Sequence, residues 1–263
     1  MKLILVSVRD PAALNIATHL LELYDFEKYD ILPDAYVCGN VLLVKIADEA
    51  TQITTLPLDA DEVIVASRHA SEAGRPSLTV HVPGEPERKE FAVASPPTIK
   101  SALRELGLAR DEFGLPHEVS LEATHHGPTK LKVPVTFVEI GSTPDQWENK
   151  KAGEAAARAI MAAATSSLKC TNAVGFGGPH YAPRHTEVTL RTDVAVGHIL
   201  PKYLSFDEEL IERAVICTCD GVKLFVLDRK GMSVEQRELC RRVAAGLGIR
   251  AAHVREILSW EKV

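Results

Sequence analysis

Short runs of apolar residues recur along the chain at the length of β-strands, and segments with helical spacing separate them. The opening shows both patterns. Lys2–Val8 is strand-like, and a helix follows with Asp10 as its N-cap and Pro11 at its first position. This alternation predicts an α/β protein, namely a three-layer α/β/α sandwich with a mixed sheet. The other strand-like runs are residues 35–38, 41–46, 62–66, 77–82, 133–140 and 222–228.

Helix signals separate several of these runs. A helix near residues 97–107 is expected to end at Gly107. Two capping boxes, Thr143–Gln146 and Ser233–Gln236, are expected to open further helices. The first box should begin the longest helix of the chain, which continues through the Ala-rich segment Ala152–Ala164. Residues 207–218 and the segment from the second box to about Leu247 also have helical patterns.

Length and composition are those of a globular α/β protein. The chain has 263 residues, of which 46% are hydrophobic and 25% are charged, and we expect one domain over residues 1–263. The charged, Pro-rich connection at 83–90 is the best internal boundary. No apolar run has the length of a membrane span and no targeting segment is evident, so we expect a cytoplasmic protein without a membrane partner, with a monomer favoured.

Charge and cysteine content exclude some classes of function. The formal net charge is −6, which argues against a protein that coats nucleic acid through bulk charge, although a local basic patch could still hold one end of an RNA. The five cysteines include no CxxC pair, so neither a zinc knuckle nor a redox motif is supported and buried free thiols are expected.

The densest group of chemically active side chains lies in Leu121–Thr129, with the sequence LEATHHGPT. Val119, Leu121 and Ala123 alternate with polar residues there, so the pattern predicts a strand with one buried face whose end carries Glu122 and the adjacent histidines. Apolar runs that end in histidine recur elsewhere, and we expect these strand ends to converge on one sheet edge. The histidines in this pattern are His69, His81, His125, His126, His180 and His198.

Several large enzyme classes lack their motifs here. No Walker loop, HExxH, zinc-deaminase signature or GxSxG elbow is present. A His-rich, Glu-bearing site remains, which suits metal-assisted or His-assisted hydrolysis, and zinc (Zn²⁺) is the expected ion. Gly177 and Gly178 could direct backbone N–H groups at an oxyanion or a phosphate. In an extended strand Glu122 and His126 would lie about 13 Å apart, so they share a metal only if the chain bends at Thr124.

Taken together, these segments resemble the archaeal and plant type of D-aminoacyl-tRNA deacylase over nearly the whole length. The Glu122–Thr129 block is the most specific part of the resemblance. Position 85 departs from the family pattern, because this chain has Glu85 where the family often has Asn. The other segments that carry it are Ser67–His69, Leu78–Gly84, Glu139–Ser142 with Trp147, Gly178–Pro183 and Gly197–Tyr203.

The resemblance implies a phosphorylase/peptidyl-tRNA-hydrolase-like fold and zinc-dependent hydrolysis of the ester between a D-amino acid and the 3′ end of tRNA, with broad side-chain tolerance. Within it, Glu122, His125 and His126 are the expected catalytic residues. The resemblance does not supply the zinc ligands, and from the residues themselves we infer His69, His81, His126 and His198. The expected contacts to the aminoacyl end of tRNA are Arg68, Gly177, Gly178, His180, Tyr181 and Lys202.

Two alternatives stay open at this point. One is another metal-assisted hydrolase or phosphorylase on the same scaffold, acting on a peptidyl-tRNA, a peptide or a nucleoside, because fold alone does not determine the reaction. The other is a non-catalytic protein that binds tRNA or metal. A pure tRNA binder should have a broad basic face, which the net charge of −6 does not favour.

Overall fold

The structure, a computed structural model, describes residues 1–260 of the chain. Its longer strands belong to two separate sheets, and two short strands form a hairpin. In chain order the strands are β1 (Lys2–Ser7), β2 (Glu27–Lys28), β3 (Ala35–Cys38), β4 (Val41–Ile46), β5 (Glu62–Ala70), β6 (Ser77–His81), β7 (Gly84–Glu85), β8 (Glu90–Phe91), β9 (Glu118–Leu121), β10 (Val135–Ser142), β11 (Thr171–Phe176), β12 (Val194–Leu200), β13 (Leu224–Leu227) and β14 (Arg250–His253).

Helices alternate with these strands through most of the chain. No helix within residues 1–260 is long and apolar enough to cross a membrane. The helices are α1 (Pro11–Leu23), α2 (Pro96–Phe113), α3 (Pro144–Trp147), α4 (Lys150–Thr165), α5 (Pro183–Arg191), α6 (Glu208–Ile216), α7 (Val234–Gly246) and α8 (Val254–Trp260).

The larger sheet is mixed, as the sequence pattern predicts. Its strand order is β2-β3-β4-β1-β5-β10-β6-β9. The central strands β4, β1, β5 and β10 run parallel, whereas β6 is antiparallel to β10. Helix α4 packs against both α1 and α2, and all three helices pack against this sheet. The predicted α/β sandwich with a mixed sheet is therefore confirmed.

A second sheet, which the sequence pattern does not distinguish from the first, has the order β12-β11-β13-β14 and is parallel throughout. Phe176 and Phe225 point into a separate core that α6 and α7 cover. Val196 and Val226 belong instead to the main core, which includes residues of α2. Helices thus pack on both faces of the second sheet.

Two of the predicted helix starts are confirmed. The Asp10 side chain accepts a hydrogen bond from the Ala13 N–H at 3.0 Å and caps α1. Ser233 and Gln236 form the complete capping box of α7. Each cap satisfies backbone N–H groups that the first turn of a helix leaves unpaired.

The predicted end of the second helix at Gly107 is wrong. Helix α2 continues to Phe113, because Leu106 and Ala109 extend its buried stripe past that glycine. It ends at Gly114, whose φ of +63° is the left-handed conformation that glycine adopts without a Cβ clash.

The capping box expected at Thr143–Gln146 is also absent. The Thr143 side chain makes no capping hydrogen bond, and the short helix α3 ends at Trp147. Helix α4 begins separately, with the Asn149 side chain accepting from the Ala152 N–H at 3.0 Å. It has 16 residues against 18 in α2, so α2 is the longer of the two helices.

The Pro-rich connection at residues 83–90 overlaps the hairpin of β7 and β8. A 3-10 turn at Pro86–Arg88 joins the two strands. Phe91, at the end of β8, packs into the core of the second sheet. This connection therefore lies where the two sheets meet.

Candidate active site

Histidine and glutamate side chains gather over β10 in the larger sheet, on its face rather than at its edge. Strand β10 lies between β5 and β6. The register places Gly141 of β10 beside His69 of β5, and Phe137 of β10 beside His81 of β6. Glu139 lies between these two positions. A Cβ on Gly141 would clash with Oγ of Ser77 and lie 3.1 Å from the Cβ of His69, so a side chain here would crowd both neighbours.

The segment after β9 folds back over this face. The Ala123 N–H donates to the carbonyl of His180 at 2.7 Å, which ties the segment to the loop after β11. His126 has a φ of +41°, a left-handed conformation that turns the chain back on itself. Because of this bend, Glu122 and His126 both reach His81, which an extended strand would not allow.

The resulting His–Glu cluster consists of His69, His81, Glu122, His125, His126, Glu139 and His180. The Glu122 carboxylate is its centre, and that side chain has no exposed surface. Among the described residues neither of its oxygens accepts a well-directed hydrogen bond, although four imidazoles surround it. The nearest ring atoms are His69 Nδ1 at 3.1 Å, His180 Nε2 at 3.4 Å, His125 Nε2 at 3.6 Å and His81 Nδ1 at 3.8 Å.

Backbone carbonyls determine which ring nitrogens of His125 and His126 face the centre of the cluster. His125 Nδ1 donates to the carbonyl of Ala123 at 2.7 Å, and His126 Nδ1 donates to that of Gly127 at 2.6 Å. A neutral imidazole carries only one N–H, so the Nε2 atom of each ring keeps its lone pair. Both histidines therefore present a free nitrogen to the cluster.

The same reasoning leaves His81 with an unsatisfied nitrogen. Its Nε2 lies 3.2 Å from Nε2 of His126, and because the latter carries the lone pair, His81 must donate there. The Nδ1 lone pair of His81 then faces carboxylate oxygens of Glu139 and Glu122, at 3.7 and 3.8 Å. Buried acceptors facing one another without a donor are costly, so a cation or a proton is needed between them.

Burial keeps three of the histidines neutral. It lowers the pKa of His81 well below its usual value, and the neighbouring His125 and His126 add to the effect. Burial, followed by the nearby His126, lowers the pKa of His125 to about 4. Burial also lowers the pKa of His126. Neutral imidazole is the form that binds a metal or accepts a proton.

The two carboxylates of the cluster differ in their charge. Burial disfavours ionisation of Glu122, but the imidazoles of His180 and His69 hold the pKa of its carboxyl well below the usual range. Burial and the adjacent charge of Glu122 raise the pKa of Glu139 to about 7, although His69 opposes them. Two carboxylates in one buried site do not ionise equally.

His69 is the charged imidazole of the cluster. Burial opposes its protonation, but Glu122 and Glu139 raise the pKa of His69 to about 11. Its Nδ1 lies 3.1 Å from Glu122 and 3.6 Å from Glu139, and its Nε2 lies 2.7 Å from the Tyr181 hydroxyl. A cationic His69 thus balances the buried charge of Glu122 and donates to Tyr181.

The donor set of the cluster fits a metal ion such as zinc. Its nitrogen and oxygen atoms form three groups whose members lie within 4.8 Å of one another. Zinc binds N and O ligands at about 2.0–2.2 Å, which places tetrahedral ligands about 3.3 Å apart. The unpaired atoms of Glu122 and His81 are the orphaned acceptors that a cation would satisfy. The groups are His81–His125–His126, His69–Glu122–His180 and His81–Glu122–Glu139.

A narrow cleft of about 100 Å³ opens onto one side of the cluster. His125, His126 and Tyr203 are among the residues that line it. The His125 and His180 side chains are 28% and 34% exposed, whereas those of Glu122 and His81 are fully buried. A substrate can therefore reach His125 and His180 directly.

The remaining predicted substrate contacts divide into two sets. The Tyr181 hydroxyl contacts the cluster through His69. Arg68 lies away from the cluster, with its guanidinium near Asp10 and Glu49 at 3.9 and 3.6 Å. Arg68 therefore pairs with carboxylates and does not face the cleft.

The glycine loop is also set back from the cleft. The N–H of Gly177 donates to the carbonyl of Leu200 at 2.8 Å, so it is not free to bind an oxyanion. The carbonyl of Gly178 accepts from the N–H of Lys202 at 2.9 Å, and the Lys202 side chain is exposed beside Lys230. These three residues belong to the rim of the second sheet.

His198 is separate from the cluster, so the structure does not support its predicted role as a zinc ligand. Its ring is fully buried, and both nitrogens have protein partners. Nδ1 lies 3.1 Å from the Thr124 hydroxyl, and Nε2 donates to the carbonyls of Ala92 and Cys217 at 3.1 and 3.3 Å. With both nitrogens engaged, the ring has no lone pair left for a metal.

Glu139 is the cluster residue that the sequence-based site predictions omit. It lies in the middle of β10, all of whose residues are buried. The sequence does carry a signal, because a single carboxylate in an otherwise uncharged buried strand requires a partner. His69 is that partner, and Glu139 and Glu122 both interact with the positive charge of its imidazole.

Comparison with known proteins gives a consistent result. The family model for D-aminoacyl-tRNA deacylase matches residues 56–252. A protein named D-aminoacyl-tRNA deacylase from Methanosarcina mazei is 39% identical, and the match covers 97% of this chain and 92% of the relative. The protein of the same name from Pyrococcus furiosus is 37% identical, with 95% and 98% covered.

A solved structure has the same fold. It is described as the crystal structure of a conserved protein of unknown function, AF0625, and it superposes with a TM-score of 0.90 at 29% sequence identity. The match covers 98% of this chain and 97% of that one. Both sheets therefore belong to an architecture that the two proteins share.

Proposed function

The chain belongs to the D-aminoacyl-tRNA deacylase family, and we propose on that basis that its His–Glu cluster hydrolyses D-aminoacyl-tRNA. In this reaction water adds to the carbonyl of the ester between the D-amino acid and the terminal ribose. The C–O bond to the ribose then breaks, the ribose oxygen takes up a proton, and a free D-amino acid and tRNA are released.

The observation that carries the proposal is a neutral imidazole at the mouth of a cleft, beside a buried carboxylate. His125 has its Nδ1–H held by the carbonyl of Ala123, so its Nε2 lone pair is available toward the cluster. Burial lowers the pKa of His125 to about 4, so the ring is unprotonated at neutral pH. It can accept a proton from attacking water and return it to the leaving oxygen.

Other members of the cluster hold this arrangement in place. Glu122 lies 3.6 Å from His125 and 3.4 Å from His180, so its negative charge stabilises either ring when it becomes protonated. His180 is the more exposed of the two, which suits contact with the terminal ribose or the developing oxyanion. His126 lines the cleft beside His125, and the fully buried His81 lies behind them.

We propose that the metal is zinc. Bound zinc would polarise the ester carbonyl and acidify water. His81 and His126 would offer it neutral nitrogens, and Glu122 or Glu139 would add a carboxylate oxygen, which leaves the lone pair of His125 free for proton transfer. The orphaned nitrogen of His81 would gain a partner in this way, and so would Glu122 where that residue supplies the oxygen.

The cleft also suggests how the amino acid could be bound. Glu85 and Glu87 line it together with His125 and His126, and their carboxylates suit the α-ammonium group of the aminoacyl end. Glu85 already pairs with Arg88 at 2.9 Å, which leaves Glu87 the freer of the two. A fixed ammonium site next to a narrow cleft would discriminate between the two configurations at Cα by crowding one side chain.

We further propose a cytoplasmic, monomeric protein in which residues 1–263 act as one domain. The support for one domain is that the cluster needs both sheets: His69, His81 and Glu139 come from the larger sheet, whereas His180 follows β11 of the second. Neither sheet could supply the site alone.

The test is deacylation of matched D- and L-aminoacyl-tRNA by the purified protein, before and after chelation. We expect rapid release of the D-amino acid, slow release of the L-amino acid, and loss of the D-activity on chelation. Equal rates with both configurations, or no release of either, would contradict the proposed function.

A further inference from the structure

Only His180, which follows β11, connects the His–Glu cluster to the carboxyl edge of the second sheet, and the rest of that edge lies outside the cluster. Its strands are parallel, so β11, β12, β13 and β14 all end on the same side. In open parallel sheets, ligands bind outside the carboxyl ends of the strands. The sequences that follow these four strands are therefore the place to look for another site.

Exposed cations surround this edge. A groove of about 630 Å³ lies there, and its lining includes four cationic side chains against two carboxylates, Asp228 and Glu256. An adjoining groove of about 410 Å³ is lined by Lys202 together with Lys230. The cations that border the two grooves form what we call the basic rim, namely Arg184, Lys202, Arg229, Lys230 and Arg255.

Most of the basic rim is uncompensated. Within residues 1–260, no carboxylate pairs with the side chains of Lys202, Arg229, Lys230 or Arg255, and Arg184 alone has a partner, Glu187. The chain as a whole has a net charge of −6, so such a concentration of free positive charge is not a general property of its surface. Exposed cations without protein partners are available to a polyanion at little desolvation cost.

The basic rim continues into the His–Glu cluster. The Lys202 N–H donates to the carbonyl of Gly178 at 2.9 Å, two residues before His180. The next residue, Tyr203, has its hydroxyl 3.5 Å from Nδ1 of His180 and its side chain largely exposed. A ligand that lies along the basic rim would therefore reach the cleft with one end at His180.

We propose that the basic rim binds the phosphodiester backbone of tRNA next to its 3′ end, while that end enters the cleft. This inference rests on the proposed function for the identity of the polyanion. A single strand carries one phosphate per nucleotide, and cations that follow a groove match that spacing without reading base sequence. Tyr203 offers an aromatic face on which the terminal base can stack.

The experiment is equilibrium binding of an uncharged tRNA across a range of salt concentrations, which does not depend on turnover. The test variant combines Arg229→Ala, Lys230→Ala and Arg255→Ala. The control combines Lys28→Ala, Arg104→Ala and Lys169→Ala, which removes three other exposed cations and changes the net charge equally. The variant Lys230→Ala alone serves if the triple variant does not fold.

We expect the triple variant to bind tRNA about tenfold or more weakly, because each cation that neutralises a phosphate adds to the affinity. The slope of log K against log salt should become shallower by about 0.7–0.9 for each phosphate that is no longer neutralised. In deacylation assays the same variant should show a raised KM with an unchanged kcat. The control variant should match the parent in all three measurements.

An unchanged affinity and salt slope in the triple variant, or an equal loss in the control, would overturn the proposal. The two proposals fail separately. A parent protein that binds tRNA through the basic rim but releases no amino acid contradicts the deacylase function. A parent that deacylates D-aminoacyl-tRNA while the triple variant behaves identically contradicts the basic rim alone.

Discussion

The His–Glu cluster and His198 are both buried histidine sites that follow from similar sequence patterns, yet their chemistry differs. His198 has a protein partner for each ring nitrogen, from Thr124 and two backbone carbonyls. In the cluster, Nδ1 of His81 and both oxygens of Glu122 have no directed partner among the described residues. Burial alone therefore does not identify a site, and neither does one unpaired ring, because within residues 1–260 the buried His117 and His185 also lack directed partners. The cluster differs because several of its unpaired acceptors face one another.

Removing metal should give the largest effect, and it tests whether a cation satisfies the unpaired acceptors of the His–Glu cluster. Chelation should slow deacylation of D-aminoacyl-tRNA by about a thousandfold or more, since a metal contributes several kcal/mol to such a barrier. Added zinc should restore the rate, and the metal content can be measured on the same samples by mass spectrometry. Full activity in a verified metal-free sample would assign the chemistry to the imidazoles alone.

The next effect concerns the accessible histidines of the cluster. His125→Ala and His126→Ala should each reduce the single-turnover rate by about a hundredfold or more, because acid–base roles contribute 10²–10⁴. Thermal unfolding, measured in parallel, should change little relative to the loss in rate. A loss of rate that instead follows the loss of stability would mean that these residues only brace the segment after β9.

His198→Leu should show the opposite behaviour. It leaves the Ala92 and Cys217 carbonyls without a donor, which should lower the free energy of unfolding by about 1–3 kcal/mol. The deacylation rate should stay within a few-fold of the parent, because His198 is separate from the cluster. Urea unfolding and single-turnover assays of this variant measure both quantities, and a hundredfold slower but fully stable variant would contradict the comparison.

The smallest effect is the dependence of stability on pH. Burial lowers the pKa of both His185 and His198 to about 4, against about 6.5 in the unfolded chain. Below pH 6.5 both histidines bind protons in the unfolded chain but stay neutral in the folded protein. Their contribution to the free energy of unfolding is therefore complete above pH 6.5 and is lost as the pH falls toward 4.

Each such ring should contribute a slope of about 1.4 kcal/mol per pH unit in this range. Urea unfolding at several pH values should therefore show that the free energy of unfolding depends less steeply on pH in His185→Gln than in the parent. An identical slope in the two proteins would show that His185 protonates equally in the folded and unfolded chain.

Local sequence patterns predicted most of the elements but not their division into two sheets. Apolar runs at residues 171–176 and 135–142 have similar composition, yet one lies in each sheet. Which strands pair depends on long-range packing, which no short window contains. Gly107 shows the same limit, because the buried stripe of α2 outweighs the local tendency of a glycine to end a helix.

The sequence predicts those residues of the His–Glu cluster that lie close together along the chain, and it does not reveal the one that stands alone. Glu122, His125 and His126 lie within five residues, so their density was visible. Glu139 stands alone in a buried strand, and His198 has the same apolar context as His81. Only the fold shows that Glu139 faces His69 while His198 faces backbone carbonyls.

The most direct test of the central claim compares two buried carboxylates. Glu122 is the centre of the cluster, whereas Glu62 pairs with Lys2 at 2.9 Å far from it in the fold. Single-turnover deacylation of a D-aminoacyl-tRNA should be slowed about a hundredfold or more by Glu122→Gln and left near the parent rate by Glu62→Gln, with both variants folded. A folded Glu122→Gln variant that stays within a few-fold of the parent would contradict the assignment of the His–Glu cluster as the active site.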